Sequence, residues 1–150
     1  WDAKTGKELL SLKGHTNWVL SAQFSPDGNR IVTASRDNTA KVWDAKTGAE
    51  LLSLKGHTEF MISAQYSPDG NRIVTTSGDE TAKVWDAKTG AELISLKGHT
   101  SDVNSAHFSP DGNRIVTTSK DGTALVWDAR PMSDSFAERE AAEAESQRKD

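Results

Sequence analysis

The amino-acid sequence predicts an all-β protein built from three nearly identical repeats of short antiparallel strands. A period of 42 residues separates four tryptophans and also three Gly-His dipeptides, and adjacent repeats differ at only nine and ten positions. Short alternating or β-branched segments are separated by turn sequences, and the repeats lack the helical period of about 3.6 residues. The sequence repeats are residues 1–42, 43–84 and 85–126.

The second repeat illustrates the four strands that the pattern predicts in each unit. Its strand segments are apolar, alternating or β-branched, and they cover residues 50–54, 62–67, 72–76 and 81–85. A turn joins the second segment to the third, because Pro68 presets φ and Gly70 accepts a positive φ. A second turn at 78–80 precedes the last segment, which ends at a Trp-Asp pair.

Composition limits the classes of function. The formal net charge is -4, so the chain lacks the basic excess that favours nucleic acid or an anionic membrane surface. No apolar run approaches the roughly 20 residues of a membrane-spanning helix, and the absence of cysteine excludes disulfides and thiolate chemistry. We expect no nucleic-acid partner, no membrane partner and, by default, a cytoplasmic location. Because the first residue is Trp1, we also expect the chain to start inside a larger, processed or engineered product.

The Gly-His and Trp-Asp dipeptides recur at fixed offsets together with Ser-Pro-Asp-Gly and Ser-x-Asp-x-Thr segments. In this combination residues 1–128 resemble WD40 repeats, and the near-identity of the copies resembles recently amplified bacterial propellers. The resemblance implies three four-stranded antiparallel blades of a β-propeller, followed by a linker and tail at 129–150. In that tail a capping-box pattern at Ser135 and Glu138 and an Ala/Glu-rich composition predict a short C-terminal helix from Phe136.

The resemblance also implies a hydrogen-bonded set of His, Thr, Asp and Trp inside each blade. A buried indole N–H needs an acceptor, a neutral imidazole can donate and accept, and a carboxylate at a turn accepts from ring and backbone N–H groups. A catalytic His-Asp pair or a metal site is the alternative, but the set recurs three times with its histidines 42 residues apart. We expect structural tetrads, no catalytic residue, no metal and no cofactor. The tetrad positions are His15, Thr33, Asp37, Trp43, His57, Thr75, Asp79, Trp85, His99, Thr117, Asp121 and Trp127.

The differences among the three copies fall in two clusters, which a WD40 blade would place on the same rim, usually called the top. We interpret this rim as a protein- or peptide-binding face with aromatic anchors and charged contacts. The alternatives are neutral change at loop tips and packing of the aromatic rings between neighbouring blades. His107 lies outside both clusters, replaces Gln23 and Gln65, and is expected to be a surface or bridging residue. The candidate rim residues are Trp18, Leu20, Arg36, Asn38, Phe60, Ile62, Glu80, Asp102, Asn104 and Lys120.

Three blades are too few to close a propeller, which needs about four to eight, and an open arc would expose strand edges. In a WD40 protein, residues 8–13 would form the outermost strand of a preceding blade, whereas the last repeat ends at Trp127-Asp128 without that strand. We therefore predict head-to-tail association, in which residues 8–13 complete the last blade of a neighbouring chain. Two chains give six blades and three give nine; we favour the homotrimer over the dimer. A fragment of a longer chain is the alternative.

These observations predict a non-enzymatic scaffold that binds a protein or peptide and is built as an oligomeric β-propeller. The alternative is a purely structural, engineered or amplified repeat protein without a specific ligand. An enzyme is disfavoured because no cofactor loop, metal set or nucleophile–base pair lies outside the repeated residues.

Overall fold

The computed structural model describes residues 1–131 and confirms an all-β fold in this range. Eleven strands form three antiparallel sheets, here called blades 1, 2 and 3. The predicted helix from Phe136 lies outside the described residues. The strands are β1 Val19–Phe24, β2 Arg30–Ser35, β3 Thr39–Asp44, β4 Glu50–Lys55, β5 Met61–Tyr66, β6 Arg72–Ser77, β7 Thr81–Asp86, β8 Glu92–Lys97, β9 Val103–Phe108, β10 Arg114–Ser119 and β11 Ala124–Asp128.

Each blade is a meander in which consecutive strands pair antiparallel. Blade 1 consists of β1 to β4 and blade 2 of β5 to β8, in the four-stranded form that the sequence predicts. Blade 3 consists of β9, β10 and β11 only. Within residues 1–131, the outer edge of β11 therefore has no strand where β3 pairs with β4 and β7 pairs with β8.

Residues 8–13, predicted as a strand, form no β-ladder within the described chain. They nevertheless lie against blade 1, because a Cβ placed on Gly48 would be 3.6 Å from a methyl carbon of Leu12. β4 approaches blade 2 in the same way, since a Cβ on Gly90 would be 3.3 Å from a methyl carbon of Leu54. Residues 8–13 thus stand where the outer strand of a preceding blade would stand, without the rest of that blade.

The boundaries of the blades do not coincide with those of the sequence repeats. After β3, the Gly48 N–H donates to the Asp44 carbonyl oxygen at 2.9 Å, and Gly48 adopts a φ of 74° that favours glycine. This turn carries the chain into β4, so the outer strand of blade 1 belongs to the second sequence repeat. The same turn at Gly90 links β7 to β8. Each of these blades therefore takes its outer strand from the following repeat, which ties consecutive repeats together.

The hydrophobic core lies between the blades. One buried cluster joins the facing sides of blades 1 and 2, and a second joins blades 2 and 3. In the first cluster, Val42 and Leu54 of blade 1 and Met61 and Ile73 of blade 2 are completely buried. Burying a side chain of this size stabilises the fold by about 1.5–3 kcal/mol. A blade therefore obtains its hydrophobic stabilisation from its neighbours, and a blade face without a neighbour lacks it.

Candidate functional site

The four tetrad residues of blade 2 form one hydrogen-bonded chain that runs from the core to the rim. The Trp85 indole N–H donates to Thr75 Oγ1 at 2.8 Å, and Thr75 Oγ1 lies 2.8 Å from His57 Nε2. On the other side of the ring, His57 Nδ1 lies 2.7 Å from Asp79 Oδ2. The same three contacts occur in blades 1 and 3, at 2.7–2.9 Å, among His15, Thr33, Asp37 and Trp43 and among His99, Thr117, Asp121 and Trp127.

Donor and acceptor chemistry gives this chain one direction. An indole N–H can only donate and a carboxylate can only accept, so Thr75 donates its hydroxyl hydrogen to His57 Nε2 and the Nδ1–H donates to Asp79. The imidazole is then neutral. Burial lowers the pKa of His57 below its ordinary value, although its hydrogen bond to Asp79 acts in the opposite direction. With His57 neutral, each buried donor and acceptor of this tetrad has a hydrogen-bond partner.

The tetrad aspartate also fastens the rim loops. In blade 1, Asp37 Oδ1 accepts from the Thr39 N–H and hydroxyl at 2.9 and 2.6 Å, while Oδ2 accepts from the Thr16 N–H as well as from His15. Burial raises the pKa of Asp37, but the hydrogen bonds from Thr39, His15 and Thr16 outweigh it and hold this pKa well below the usual range. The carboxylate thus joins the loop before β1 to the turn between β2 and β3.

The tetrads offer little scope for catalysis, because their polar groups are hydrogen-bonded to one another. The His57 side chain is fully buried, and its two ring nitrogens already have partners. Within residues 1–131 there is no group of three or more His, Cys, Asp and Glu side chains suited to hold a metal ion.

In the same range, no helix is long and apolar enough to cross a membrane.

The variable rim is built on a backbone hydrogen bond that all three blades share. The residue that follows the second strand of each blade donates its N–H to the carbonyl oxygen of a residue just before the first strand. These two positions differ in all three copies and hold most of the candidate anchors. The donor and acceptor residues are Arg36 and Trp18 at 2.8 Å, Gly78 and Phe60 at 3.1 Å, and Lys120 and Asp102 at 3.0 Å.

In blade 1 the rim pair makes a cation–π contact. The Arg36 guanidinium carbon lies 4.7 Å from the centroid of the Trp18 ring and 5.5 Å from that of Phe60 in blade 2. The Trp18 side chain is 67% exposed, whereas Phe60 is half-buried. Exposed cation–π contacts contribute about 0.5–1 kcal/mol. The structure therefore brings Trp18, Arg36 and Phe60 together into one cluster that spans blades 1 and 2.

The other two blades carry different side chains at the positions of Trp18 and Arg36. In blade 2 the Phe60 ring lies directly on Gly78, where an added Cβ would be 2.8 Å from Phe60 Cε1. In blade 3 the Lys120 ammonium forms a 2.9 Å ion pair with Asp102. Side chains at the two positions thus differ together between blades, so part of the variation reflects contacts inside each blade. The contact of Phe60 with Gly78 lies within blade 2, so it differs from the alternative in which the rings pack between neighbouring blades.

The remaining rim candidates show backbone strain at one position. Asn38 and Glu80 have φ of 70° and 71°, and Gly122 occupies the same position in blade 3 with a φ of 86°. Asparagine and glycine tolerate this region, but for a glutamate it costs on the order of 1–2 kcal/mol. The Glu80 carboxylate is exposed on the rim despite that cost. On the first strands, the candidates are Leu20 and Asn104, which are exposed, and Ile62, which is half-buried.

Sequence reasoning missed the contacts that tie neighbouring blades at the opposite rim. Arg30 of blade 1 donates from Nη1 to the Ala87 carbonyl oxygen of blade 2 at 3.3 Å. Arg72 of blade 2 makes the same contact with the Ala129 carbonyl oxygen. The only available signal was that this arginine is identical in every copy, and that does not distinguish a contact between blades from a turn residue.

The first strands of the blades line a shallow groove of about 260 Å³. Gln23 and Gln65 lie there, and the Gln23 side-chain oxygen accepts the Tyr66 N–H at 2.8 Å. His107 replaces these glutamines in blade 3 and is exposed at the end of the groove. The Tyr66 hydroxyl is buried with no hydrogen-bond partner among residues 1–131, and burial raises its pKa to about 12.

The stacked four-stranded meanders and their tetrads define a β-propeller blade repeat. A family model described as "WD domain, G-beta repeat" matches residues 6–44, 48–86 and 90–128. These matches cover most of the chain, and the chain belongs to the WD40 repeat family.

Curated relatives match single repeats of the chain. It is 50% identical over 42 residues to eukaryotic translation initiation factor 3 subunit I of Bombyx mori and 48% identical over 42 residues to autophagy-related protein 16 of Arabidopsis thaliana. It is 54% identical over 43 residues to WD repeat and SOCS box-containing protein 1 of Homo sapiens. Each match covers 28% of this chain and only 8–13% of the relative. The matched segments therefore cover only a small part of each of these proteins.

Replacing Thr75 with valine should destabilise the protein by about 2–4 kcal/mol, because the Trp85 N–H and His57 Nε2 would be left buried without a partner. Thr100→Val is the matched control, since Thr100 is exposed and its hydrogen bond to Asp121 comes from the backbone N–H, which valine retains. Urea unfolding followed by tryptophan fluorescence measures both. Equal stability of Thr75→Val and wild type would contradict the role assigned to the tetrad.

Stability should fall as the pH is lowered, in two ranges. The folded pKa of His57 lies below the ordinary value of 6.5, so the unfolded state binds the proton more readily and stability is lost as pH falls below about 6.5. The folded pKa values of Asp37, Asp79 and Asp121 lie below 3.8, so their contribution is complete above pH 3.8 and is lost below it. Urea midpoints between pH 8 and pH 3 measure both ranges. A midpoint that rises between pH 7 and pH 5 would contradict this assignment.

Proposed function

We propose that the chain is a non-enzymatic scaffold that binds a protein or peptide on its variable rim, and that copies associate head to tail to complete a propeller. WD40-family membership supports the scaffold class, since proteins of this family generally bind protein partners. The observation that carries the head-to-tail part is the exposure of apolar side chains at the two end faces of the three-blade stack.

Equivalent side chains show how much each end face lacks a neighbour. On the side of blade 2 that faces blade 1, Met61 and Tyr66 are 0% and 7% exposed, whereas their counterparts in blade 1, Val19 and Phe24, are 50% and 63% exposed. Exposed apolar surface of this extent is typical of an association site. The free face of blade 1 therefore lacks the cover that blade 2 obtains from blade 1.

The other end face has the matching deficit. Val74 and Val84 of blade 2 are 0% and 3% exposed, because blade 3 covers them. Their counterparts in blade 3, Val116 and Val126, are 38% and 65% exposed. A second copy presents a surface that fits, since its blade 1 would meet blade 3 as blade 3 meets blade 2.

The strand edges add a directional match to this apolar one. β4 pairs with β3 with Leu54 opposite Ala40 and Leu52 opposite Val42. β11 lies two 42-residue periods after β3, and residues 8–13 lie one period before β4. Residues 8–13 of a neighbour would therefore pair with β11 in the register that β4 adopts on β3. Leu12 would then face Ala124 and Leu10 would face Val126 (β-strand addition of this type gains main-chain hydrogen bonds at both edges). The same translation would bring Arg114 to the Ala45 carbonyl oxygen of the neighbour, as Arg30 reaches Ala87.

The strand pairing between copies would lack an ion pair that the third and outer strands share inside the chain. Lys41 forms an ion pair with Glu50 across β3 and β4, and Lys83 does so with Glu92. Leu125 occupies this position in β11, so Glu8 of a neighbour would find no lysine there. Partly exposed ion pairs are worth about 0.2–1 kcal/mol, so we expect the ring to open at this joint first.

Heterologous contacts of this kind form rings of whole chains when the rotation between neighbouring chains closes. Three chains give nine blades and two chains give six, and the trimer remains the favoured form. Near-identical units support either number, because every joint uses the same surfaces. A purely structural repeat protein without a ligand would form the same ring, so the two functional alternatives differ at the rim and not at the joint.

Sedimentation velocity tests the ring. Wild type should sediment as a particle of three chains, or of two, over a broad concentration range. Val126→Lys should shift the population towards the monomer, because it places a charge in the proposed apolar joint. Asn71→Lys adds the same side chain at an exposed turn and should leave the mass unchanged. A monodisperse wild-type monomer at high micromolar concentration would overturn head-to-tail closure.

Binding on the rim is supported by the exposed Trp18 ring and by the exposed Glu80 carboxylate in its strained backbone conformation. Large aromatic and arginine side chains are the types that most often dominate the free energy of protein binding. Strain that persists at an exposed residue is frequently associated with a functional surface. Neutral change at loop tips would favour small polar residues at these positions.

Capture from a source lysate with matched baits tests rim binding. Proteins that bind the rim should be retained by wild type and by Leu93→Ala, which alters an exposed residue of β8 away from the rim, and lost from Trp18→Ala. The thermal midpoint and the particle mass of Trp18→Ala should match those of wild type. Identical proteins on all three baits would contradict rim binding, and loss of the assembled particle in Trp18→Ala would make Trp18 a structural residue.

A further inference from the structure

We infer that Arg36 is the site at which the rim binds a carboxylate of its protein partner, as an aspartate or glutamate side chain flanked by an apolar residue. This inference rests on the proposed rim-binding function and specifies its ligand chemistry. It is carried by the geometry of Arg36 and by the comparison with the equivalent residues of the other two blades.

The guanidinium of Arg36 is positioned by stacking alone. It lies over the Trp18 ring at 4.7 Å and over the Phe60 ring at 5.5 Å, so aromatic faces from two blades limit its orientation. Within residues 1–131, no carboxylate lies within ion-pair distance of it and its N–H groups donate to no protein acceptor. Contacts to the ring faces leave the N–H edges of a guanidinium free for two parallel hydrogen bonds to a carboxylate.

The equivalent positions show that a free cation is not required by the blade fold. In blade 3, Lys120 has its charge paired with Asp102 at 2.9 Å. In blade 2, Gly78 carries no charge and the Phe60 ring occupies the space. Either solution would satisfy blade 1, so an unpaired arginine at this point is a specific feature of the cluster formed by Trp18, Arg36 and Phe60.

The surroundings define what else the ligand must satisfy. Arg36 lines an open groove of about 460 Å³ together with Asn17, Asn38, Glu59 and Phe60. The neighbouring Asp37 carboxylate is turned inward and uses both oxygens on His15, Thr16 and Thr39, so it does not compete for the guanidinium.

Glu59 lies in the same groove and would repel a second negative charge. The groove therefore fits one carboxylate at Arg36 and no further acidic residue near Glu59, and the exposed Trp18 ring beside Arg36 fits an apolar side chain. A polyacidic segment would fit less well than a single acidic residue with an apolar neighbour.

Selection from a displayed random-peptide library tests the inference. Wild type, Arg36→Gln, Trp18→Ala and Lys88→Gln serve as parallel baits, after their thermal midpoints and particle masses have been shown to agree. Lys88 is the matched control, because it is exposed in the turn between β7 and β8 at the opposite rim. Peptides enriched on wild type and on Lys88→Gln, but not on Arg36→Gln, should contain one Asp or Glu beside an apolar residue. In a synthetic copy of the most enriched peptide, replacing that acid with its amide should weaken binding by about tenfold or more.

Arg36→Lys separates recognition of a carboxylate from a simple charge effect. A lysine keeps the charge but cannot form two parallel hydrogen bonds while stacked between rings, so affinity for the acidic peptide should fall by a similar factor. Unchanged affinity in Arg36→Lys would overturn the bidentate contact.

The outcomes distinguish this inference from the proposed function on which it rests. Enriched peptides that require Trp18 but carry no acid, or that bind Arg36→Gln equally well, would overturn the carboxylate site and leave rim binding intact. No enrichment on wild type above Trp18→Ala would overturn both.

Discussion

The packing of this protein depends on one constraint, which is that a blade cannot bury its own apolar faces. Alternation along each strand sends side chains to both sides of the sheet, and only a neighbouring blade covers them. Blade 2, which has neighbours on both sides, buries Met61 and Val84 almost completely. Blades 1 and 3 leave the equivalent Val19 and Val126 half exposed or more. The middle blade of the stack is therefore covered on both sides, whereas each end blade leaves one apolar face exposed, and the proposed head-to-tail association would bury both faces.

The tetrads fix the rim loops to the stack of blades. Each chain of hydrogen bonds begins at a buried tryptophan and ends at an aspartate that holds two loops together, as Asp37 does for the loop before β1 and the turn that carries Arg36. The position of the rim loops is thus set from inside the blade, and side chains outside the tetrad can differ without disturbing it. At the same location, blade 1 has a cation–π pair, blade 2 has an aromatic–glycine contact and blade 3 has an ion pair.

Much of the fold could be predicted from the sequence because it repeats. The 42-residue period, the turn at Pro68 and the spacing of His57 and Trp85 depend on local chemistry, which recurs in each copy. The strand edge left free at β11 followed from the same periodicity. The contacts between blades could not be predicted in this way, because they depend on the distance between sheets. Arg72 reaching the Ala129 carbonyl oxygen is one example, and Arg36 between two rings is another.

Amide hydrogen exchange at residues 8–13 most directly tests the claim that copies complete one another. β4 and β8 are the equivalent segments inside the chain and serve as internal standards, because their N–H groups pair with β3 and β7. If residues 8–13 add to β11 of a neighbour, their amides should be protected to a degree comparable with β4, and this protection should decline on dilution. Exchange of residues 8–13 at the rate of an unstructured peptide, at concentrations where β4 stays protected, would contradict the account.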